Sequence, residues 1–288
     1  MSYKYEDIRN FYFENEIGQR IDCQKINGNL FFYNVTGLGY EEEIEYVQIG
    51  NNFVPNKSKI KQNQICGDLE FYNMTYDEYC NFVDFILTAK ELKLVYIPKR
   101  NRRTEYFRDI DLFKIDKAEE DEYNILSCPI AMNAKSLWYE QKEIVYDIKT
   151  QENEVRWNFR FNSKFVNYNN RNIIFENKGH AEAPIKLEMM GYLINPSILI
   201  SVNGKELYGL HLNLTLLEGE KLLYFTKDTD LYIYKQDAEG NLTNLFEDLD
   251  LNRVNFFKLP KGLCEISLTA ENNVQNAKLT IYVEYKAV

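Results

Sequence analysis

The sequence is poor in the residues that most catalytic and metal chemistry needs. It holds only two histidines, His180 and His211, in 288 residues. Neither stands at ligand spacing from a cysteine or carboxylate, and no H-E-x-x-H or G-x-S-x-G stretch occurs. His211 lies between Leu210 and Leu212, so it points away from the leucine face, and His180 follows the turn Asn177-Lys178-Gly179. Zinc and nucleophilic triads therefore lack support, and no catalytic, cofactor-binding or metal residue is expected. The five cysteines (Cys23, Cys66, Cys80, Cys128, Cys264) are odd in number and have no short metal-type spacing. They read as free, mostly buried thiols of a chain made in a reducing cytoplasm. No apolar run approaches the ~20 residues that span a bilayer. The first residues, MSYKYEDIRNFYFENEIG, carry charges throughout, so a signal peptide is not expected there. Basic charge is also short: 34 Lys and Arg against 44 Asp and Glu give a net charge of −10. That balance argues against binding nucleic-acid phosphates over the whole surface.

What the chain has is aromatic residues, 22 Tyr and 18 Phe, which favour strands and large contact surfaces. One helix is well signalled, over Tyr76–Lys90. Thr75 and Glu78 stand at capping-box spacing. Tyr79, Phe82, Val83, Ile86 and Leu87 form one apolar stripe, and Lys90 and Lys93 suit the negative end of the helix. Leu92, Leu94 and Tyr96 then alternate as a strand. The basic turn Lys99–Arg103 leads into a second strand from Tyr106. A helix among strands usually covers a sheet.

The rest of the first half reads as strands and turns. Asn27-Gly28 signals a hairpin. Gly37-Leu38-Gly39 signals a bend or a close backbone approach; no Lys-Ser/Thr follows it, so it is no phosphate loop. A strand runs near Ile44–Ile49. Asn51–Asn63 is a polar, Lys- and Asn-rich excursion with the character of an exposed hairpin arm. Further strands are expected at Ile65–Phe71 and Asn124–Asn133, and Ser136-Leu137-Trp138-Tyr139 closes the unit. The pattern shifts across Glu140–Glu154. This places a boundary between domains 1–143 and 144–288. The second half shows short, regularly spaced strands, the cue for a sandwich. They fall at Ile185–Met189, Ile198–Val202, Leu210–Leu216, Leu231–Ile233, Ile266–Leu268 and Leu279–Tyr285, with turns at Asn203-Gly204 and Glu239-Gly240-Asn241.

Carboxylates are numerous, and a glycosidase needs only two placed in space. Here Glu41–Glu43, Glu119–Glu122 and Glu247–Asp250 all fall in polar turns, as solvated loops do. Trp138, Trp157 and the tyrosines have the chemistry to stack on sugars, but in a β-rich chain aromatics commonly form core and interface. Three hypotheses stand: an assembly protein, a sugar-binding module and a glycosidase.

The order of features resembles the distal tail proteins of long-tailed phages that infect Gram-positive bacteria. The resemblance rests on Asn34–Tyr40, Ile65-Cys66-Gly67-Asp68-Leu69, the helix residues Phe82, Phe85 and Ile86, Leu92–Tyr96 with Pro98, Tyr106–Ile110 and Ser136–Tyr139. In the second half it rests on Asn177-Lys178-Gly179, Ala183-Pro184, Gly191 with Asn195-Pro196, and Leu259-Pro260-Lys261-Gly262. It implies a mainly β chain: an N-terminal β-sandwich or barrel-like, ring-forming domain with one α-helix, followed by a C-terminal galectin-like β-sandwich. It implies a homo-hexameric ring at the virion tail tip, made in the host cytoplasm, with no membrane insertion. The ring would join the tail tube protein to the baseplate hub, tail-associated and receptor-binding proteins, and DNA would cross its lumen. Within that frame Lys99, Arg100, Arg102 and Arg103 are the candidate assembly contacts. Attachment to cell-wall glycans through the C-terminal sandwich is the alternative.

Overall fold

The structure, a computed structural model, describes residues 9–24, 29–72, 75–98, 104–147, 172–250, 252–272, 274 and 276–288. The chain divides into two units, Met1–Glu140 with Tyr285–Val288, and Gln141–Glu284.

The first unit contains β1 (Asn10–Asn15), β2 (Arg20–Asp22), β3 (Leu30–Thr36), β4 (Glu42–Ile49), β5 (Asn52–Ile60), β6 (Gln64–Tyr72), α1 (Thr75–Thr88), β7 (Leu92–Ile97), β8 (Tyr106–Ile115) and β9 (Ile125–Ala134), and β10 (Trp138–Asp147) begins in it. Its main sheet runs β2-β1-β7-β8-β9-β6-β3, antiparallel throughout. The Cys23 amide donates to Phe11 O and Cys23 O accepts from the Phe32 amide, so the chain just past β2 bridges to β3 at the other end of that order. Alternation decides which face is inside. β6 buries Ile65, Leu69 and Phe71, and β9 buries Leu126, Cys128, Ile130 and Met132. These residues meet Phe11, Phe13, Phe32, Phe82 and Trp138 in one core.

Helix α1 covers part of this core. The Phe82 ring lies 5.4 Å from Phe13 and 6.0 Å from Phe71, and the Tyr79 ring lies 5.7 Å from Phe71. The helix ends at Thr88, earlier than the Lys90 expected, and no basic residue stands in its last turn. The Thr88 hydroxyl turns back to Asp84 O at 2.7 Å. Beyond it the Glu16 carboxylate accepts from the Lys90 and Glu91 amides at 3.1 and 3.4 Å. Glu16's own amide first, then those of Glu91 and Lys90, hold its carboxyl below the usual carboxylate range. Lys93 belongs to β7, with its amine 3.6 Å from Glu14. Glu78 accepts from Asn29 at 3.0 Å.

The second unit contains β11 (Asn172–Asn177), β12 (Ile185–Met190), β13 (Leu193–Ile194), β14 (Ser197–Val202), β15 (Lys205–His211), β16 (Thr215–Leu216), β17 (Lys221–Lys227), β18 (Asp230–Gln236), β19 (Leu242–Asn244), β20 (Gly262–Thr269) and β21 (Asn276–Tyr285). One sheet runs β19-β18-β17-β12-β21-β10, a second runs β11-β20-β14-β15, and β13 pairs with β16. Each large sheet buries one face: Ile185, Leu187, Met189, Leu279, Ile281 and Val283 in the first, Ile198, Ile200, Leu210, Ile266 and Leu268 in the second. The Phe257 ring bridges them, 5.6 Å from Tyr208 of β15 and 6.1 Å from Tyr224 of β17. Asn203 and Gly204 take φ of +52° and +74°, as a two-residue hairpin turn requires.

The leucine run from Leu210 to Leu216 is not one strand, contrary to expectation. Its ladder with β14 stops at Ser197↔His211, because Pro196 supplies no amide proton beyond that pair. Pro196 O accepts from the Leu212 amide at 3.1 Å, and the chain then turns to pair Leu216 with Leu193.

Candidate assembly site

One element of the first unit has no place in its sheet. Among the described residues β4 and β5 pair only with each other, through a two-residue loop in which Gly50 takes φ of +63°. Strands of eight and nine residues make an arm roughly 30 Å long at about 3.3 Å per residue. None of its residues is buried. The register shifts between Glu45 and Tyr46, leaving Asn56 without a cross-strand partner. This bulge decides what each face carries. Glu42↔Ile60, Ile44↔Ser58, Tyr46↔Pro55 and Gln48↔Phe53 share one face. That face carries Ile60, Ile44, Tyr46, Pro55 and Phe53, interspersed with Glu42, Ser58 and Gln48, and Phe53 is 67% and Tyr46 57% exposed. The other face places Glu43 and Glu45 opposite Lys59 and Lys57 around a shallow cleft of about 280 Å³, and Val47, Val54 and Ile49 nearer the tip. Sequence alternation marked β4 as a strand. Without allowance for the bulge, β5 looked only polar.

The root of the arm is clamped. Trp138, fully buried, donates its indole N–H to Leu38 O at 2.8 Å. Asn63 donates to both Gly37 O and Gly39 O, at 2.8 and 2.7 Å. The Gly37-Leu38-Gly39 bend is indeed a close approach: Gly37 takes φ of +79°, and a Cβ there would overlap the Gln64 carbonyl oxygen. Lys61 pairs with Glu41 through backbone and side chain, at 2.9 and 2.6 Å. Residues 285–288 return to the same place. Lys286 pairs with Glu42 and lies 5.4 Å over the Tyr40 ring, and the Tyr285 ring meets Tyr106 edge-on at 5.4 Å. Lys286 holds the Glu42 carboxyl below its usual range, and Glu42 in turn raises the lysine.

Lys99, Arg100, Arg102 and Arg103, on the turn between β7 and β8, lie outside the described residues, as do Asn27-Gly28 and Trp157. In the second unit the outer face of the larger sheet carries an aromatic row. Tyr234 and Tyr232 stack at 5.3 Å, Tyr232 and Phe225 lie 5.6 Å apart, and Phe225 and Tyr282 lie 5.4 Å apart. Burial raises the Tyr232 hydroxyl to about 12. Glu247, Asp248 and Asp250 line an open groove of about 510 Å³ with Asn195, His211 and Asn213. Arg253 donates to His211 Nε2 at 2.9 Å there, so that nitrogen is an acceptor. Asp250 is held below its usual range by the Asn252 amide. Glu16, Glu42, Glu220 and Asp237 shift the same way, away from what a proton-donating acid needs. Among the described residues no group of three or more His, Cys, Asp or Glu is placed to hold a metal, and all five thiols are free, with Cys23, Cys128 and Cys264 buried.

The first unit is thus a seven-stranded antiparallel sheet under one helix, with a clamped projecting hairpin. Residues 10–135 match the family model of the N-terminal domain of distal tail proteins. The fold of the whole chain is that of phage baseplate and hub proteins. It is similar to a chain of the phage P2 baseplate in its activated conformation with Ca, at 17% identity and a TM-score of 0.69, covering 98% of this chain and 100% of that one. The same figures hold for the phage P2 baseplate with Sr. The distal tail protein of phage SPP1, described as a paradigm of the hub adsorption apparatus in phages infecting Gram-positive bacteria, aligns at 9% identity and a TM-score of 0.58, covering 94% and 98%. No curated protein matches the chain.

Proposed function

We propose that this chain is a distal tail protein, a non-enzymatic building block that closes into a homo-hexameric ring, joining the tail tube to the baseplate at the virion tail tip. The observation that carries this reading is the arm. An isolated two-stranded hairpin is marginal in water, and a contiguous exposed apolar face marks a surface that another chain covers. Both edges of the arm are unpaired, which invites strand addition. The edges also differ in charge: β4 brings Glu42, Glu43 and Glu45, while β5 brings Lys57 and Lys59. A second copy set beside the first brings an acidic edge to a basic one. Repeating that head-to-tail contact through a closing rotation gives a ring. The chain's net charge of −10 suits a lumen that lets DNA pass instead of holding its phosphates. Residues 144–288 then form a galectin-like outer sandwich that holds receptor-binding or tail-associated proteins. Lys99, Arg100, Arg102 and Arg103 remain proposed contacts to neighbours or to the tail tube.

The test is the solution mass of the full chain against a chain whose residues 42–60 are replaced by a short Gly-Ser turn. The reading expects rings from the first and monomers from the second. A second reading, attachment to cell-wall glycans, is favoured by the row Tyr234-Tyr232-Phe225-Tyr282, although Phe225 is only 7% exposed. Host glycan binding lost in Tyr234→Ala would support it.

A further inference from the structure

Part of the apolar surface of α1 is not used by the core. Phe82 is buried, and Tyr79, Phe85 and Ile86 pack on the core beside it. Tyr76, Cys80, Val83 and Leu87, at steps of four, three and four, form a second line along the helix. Its ends are open: Tyr76 is 59% and Leu87 78% exposed. Cys80 and Val83 between them are half-buried and are not among the side chains packed on the core. The line continues past the helix. Glu16 accepts from the Lys90 and Glu91 amides, which brings the turn between β1 and β2 against the helix end, with Ile17 on it 71% exposed. Asp77, Asn81 and Asp84, all exposed, border the line. One exposed leucine is ordinary, but an apolar line with a polar border has the anatomy of an interface.

The arm has a surface of matching size. From Ile60 to Phe53 its apolar face extends about 23 Å at roughly 3.3 Å per residue. The helix line extends about 17 Å from Tyr76 to Leu87 at roughly 1.5 Å per residue, and Ile17 lengthens it. With ~200 Å² for a large side chain, each surface exposes on the order of 400 Å² of apolar area. Covering both would bury roughly 800 Å², the apolar part of an interface of about 1,300 Å², which is within the standard size. The other exposed apolar side chains of the first unit outside the arm, Phe31, Tyr40, Phe113 and Tyr123 among the described residues, stand on separate strands and turns. Within one chain the arm buries none of its own residues, so its own helix does not cover it.

We propose that the flank of α1, Tyr76, Cys80, Val83 and Leu87 with Ile17, is the seat on which the arm of a second copy lays its apolar face. The assignment rests on the ring reading above and adds to it the surface of the neighbour that the arm covers. It uses a face of the arm and leaves the charged edges to the contact already described. Helix α1 then lies between two β layers, its own sheet on one side and the neighbour's ribbon on the other, so the layered packing is completed between chains. Arm and seat are different surfaces of the same chain. The contact is therefore heterologous and head-to-tail, as closure into a ring demands.

The experiment measures two properties of the full-length chain, melting temperature at dilution and mass against concentration, with tail partners added if the chain alone stays monomeric. Ile17→Ser/Leu87→Gln strips the seat at exposed positions and keeps a good helix former in α1. The assignment expects it to melt within a few degrees of wild type while assembly requires roughly tenfold or more higher concentration. Tyr46→Ser/Phe53→Ser, on the arm, should melt and assemble in the same way. Combining the two pairs should add little to either, as surfaces that meet each other demand. Tyr123→Ser, an exposed aromatic off the seat, should assemble as wild type. Ile17→Ser/Leu87→Gln that assembles as wild type would overturn the seat, whatever its melting temperature. Effects of the two pairs that add in full would assign arm and flank to different partners and overturn it too, as would an equal loss of assembly in Tyr123→Ser. A wild-type chain that stays monomeric even with tail partners present would overturn the ring, and the seat with it. Rings that form equally well in all variants would overturn the seat alone.

Discussion

Phe53 and Phe82 are the same side chain in opposite situations. Phe82 is 1% exposed between Phe13 and Phe71, in the core that makes the first unit fold. Phe53 is 67% exposed on the arm and touches no ring within contact distance among the described residues. Both stand in regular structure, so regular structure does not tell them apart. What separates them is where the apolar surface is satisfied: inside the chain for Phe82, and, under the proposed function, against a neighbouring copy for Phe53. On that proposal core aromatics answer to stability and arm aromatics to partners.

Replacing the whole arm should break the comparison most completely. Assembly should vanish while the first unit melts within a few degrees of wild type, as scanning calorimetry and light scattering would show together. Loss of folding instead would mean that the arm belongs to the core. Next in size comes Phe82→Ala, which should cost about 3–5 kcal/mol by denaturant titration. Phe53→Ala, by contrast, should stay within ~0.5 kcal/mol of wild type and still weaken assembly. Equal destabilisation by the two changes would erase the distinction. Gly37→Ala should cost about 1–3 kcal/mol, because the left-handed backbone and the Gln64 carbonyl both resist a Cβ; a melting point unchanged from wild type would show that the bend is not held as described.

The smallest effect concerns the root. Lys286→Ala should leave the melting point nearly unchanged, since exposed ion pairs contribute little, but should speed hydrogen exchange of the Lys61 amide. Acid should do the same. Glu42 has a depressed carboxyl, so its contribution is present at neutral pH and is lost as pH falls through its folded value, below the ordinary 4.5. Exchange at Lys61 that ignores both the substitution and the acid would show that Lys286 plays no part in the clamp.

The core elements were legible because their periodicity matched their burial. Ile65–Phe71, Asn124–Asn133 and Leu279–Tyr285 alternate in sequence and alternate in the sheets. The helix was legible from its stripe, although its last turn was not, because the Glu16 carboxylate that receives the Lys90 and Glu91 amides comes from a distant turn. The arm was half legible. Its exposure removed the contrast on which pattern reading depends, and the bulge at Asn56 shifted the phase. Arg108 left a signal that passed unread: Tyr106, Arg108 and Ile110 alternate, which puts the arginine on the buried face. The leucine run failed because the proline just before the partner strand, Pro196, ended its ladder.

The central claim is that the arm is an assembly element. The most direct measurement is native mass of the full chain and of the arm-replaced chain over a range of concentrations. The account predicts closed rings of six 34.2 kDa chains for the first, and monomers at every concentration for the second. Rings of the same size from the arm-replaced chain would contradict it.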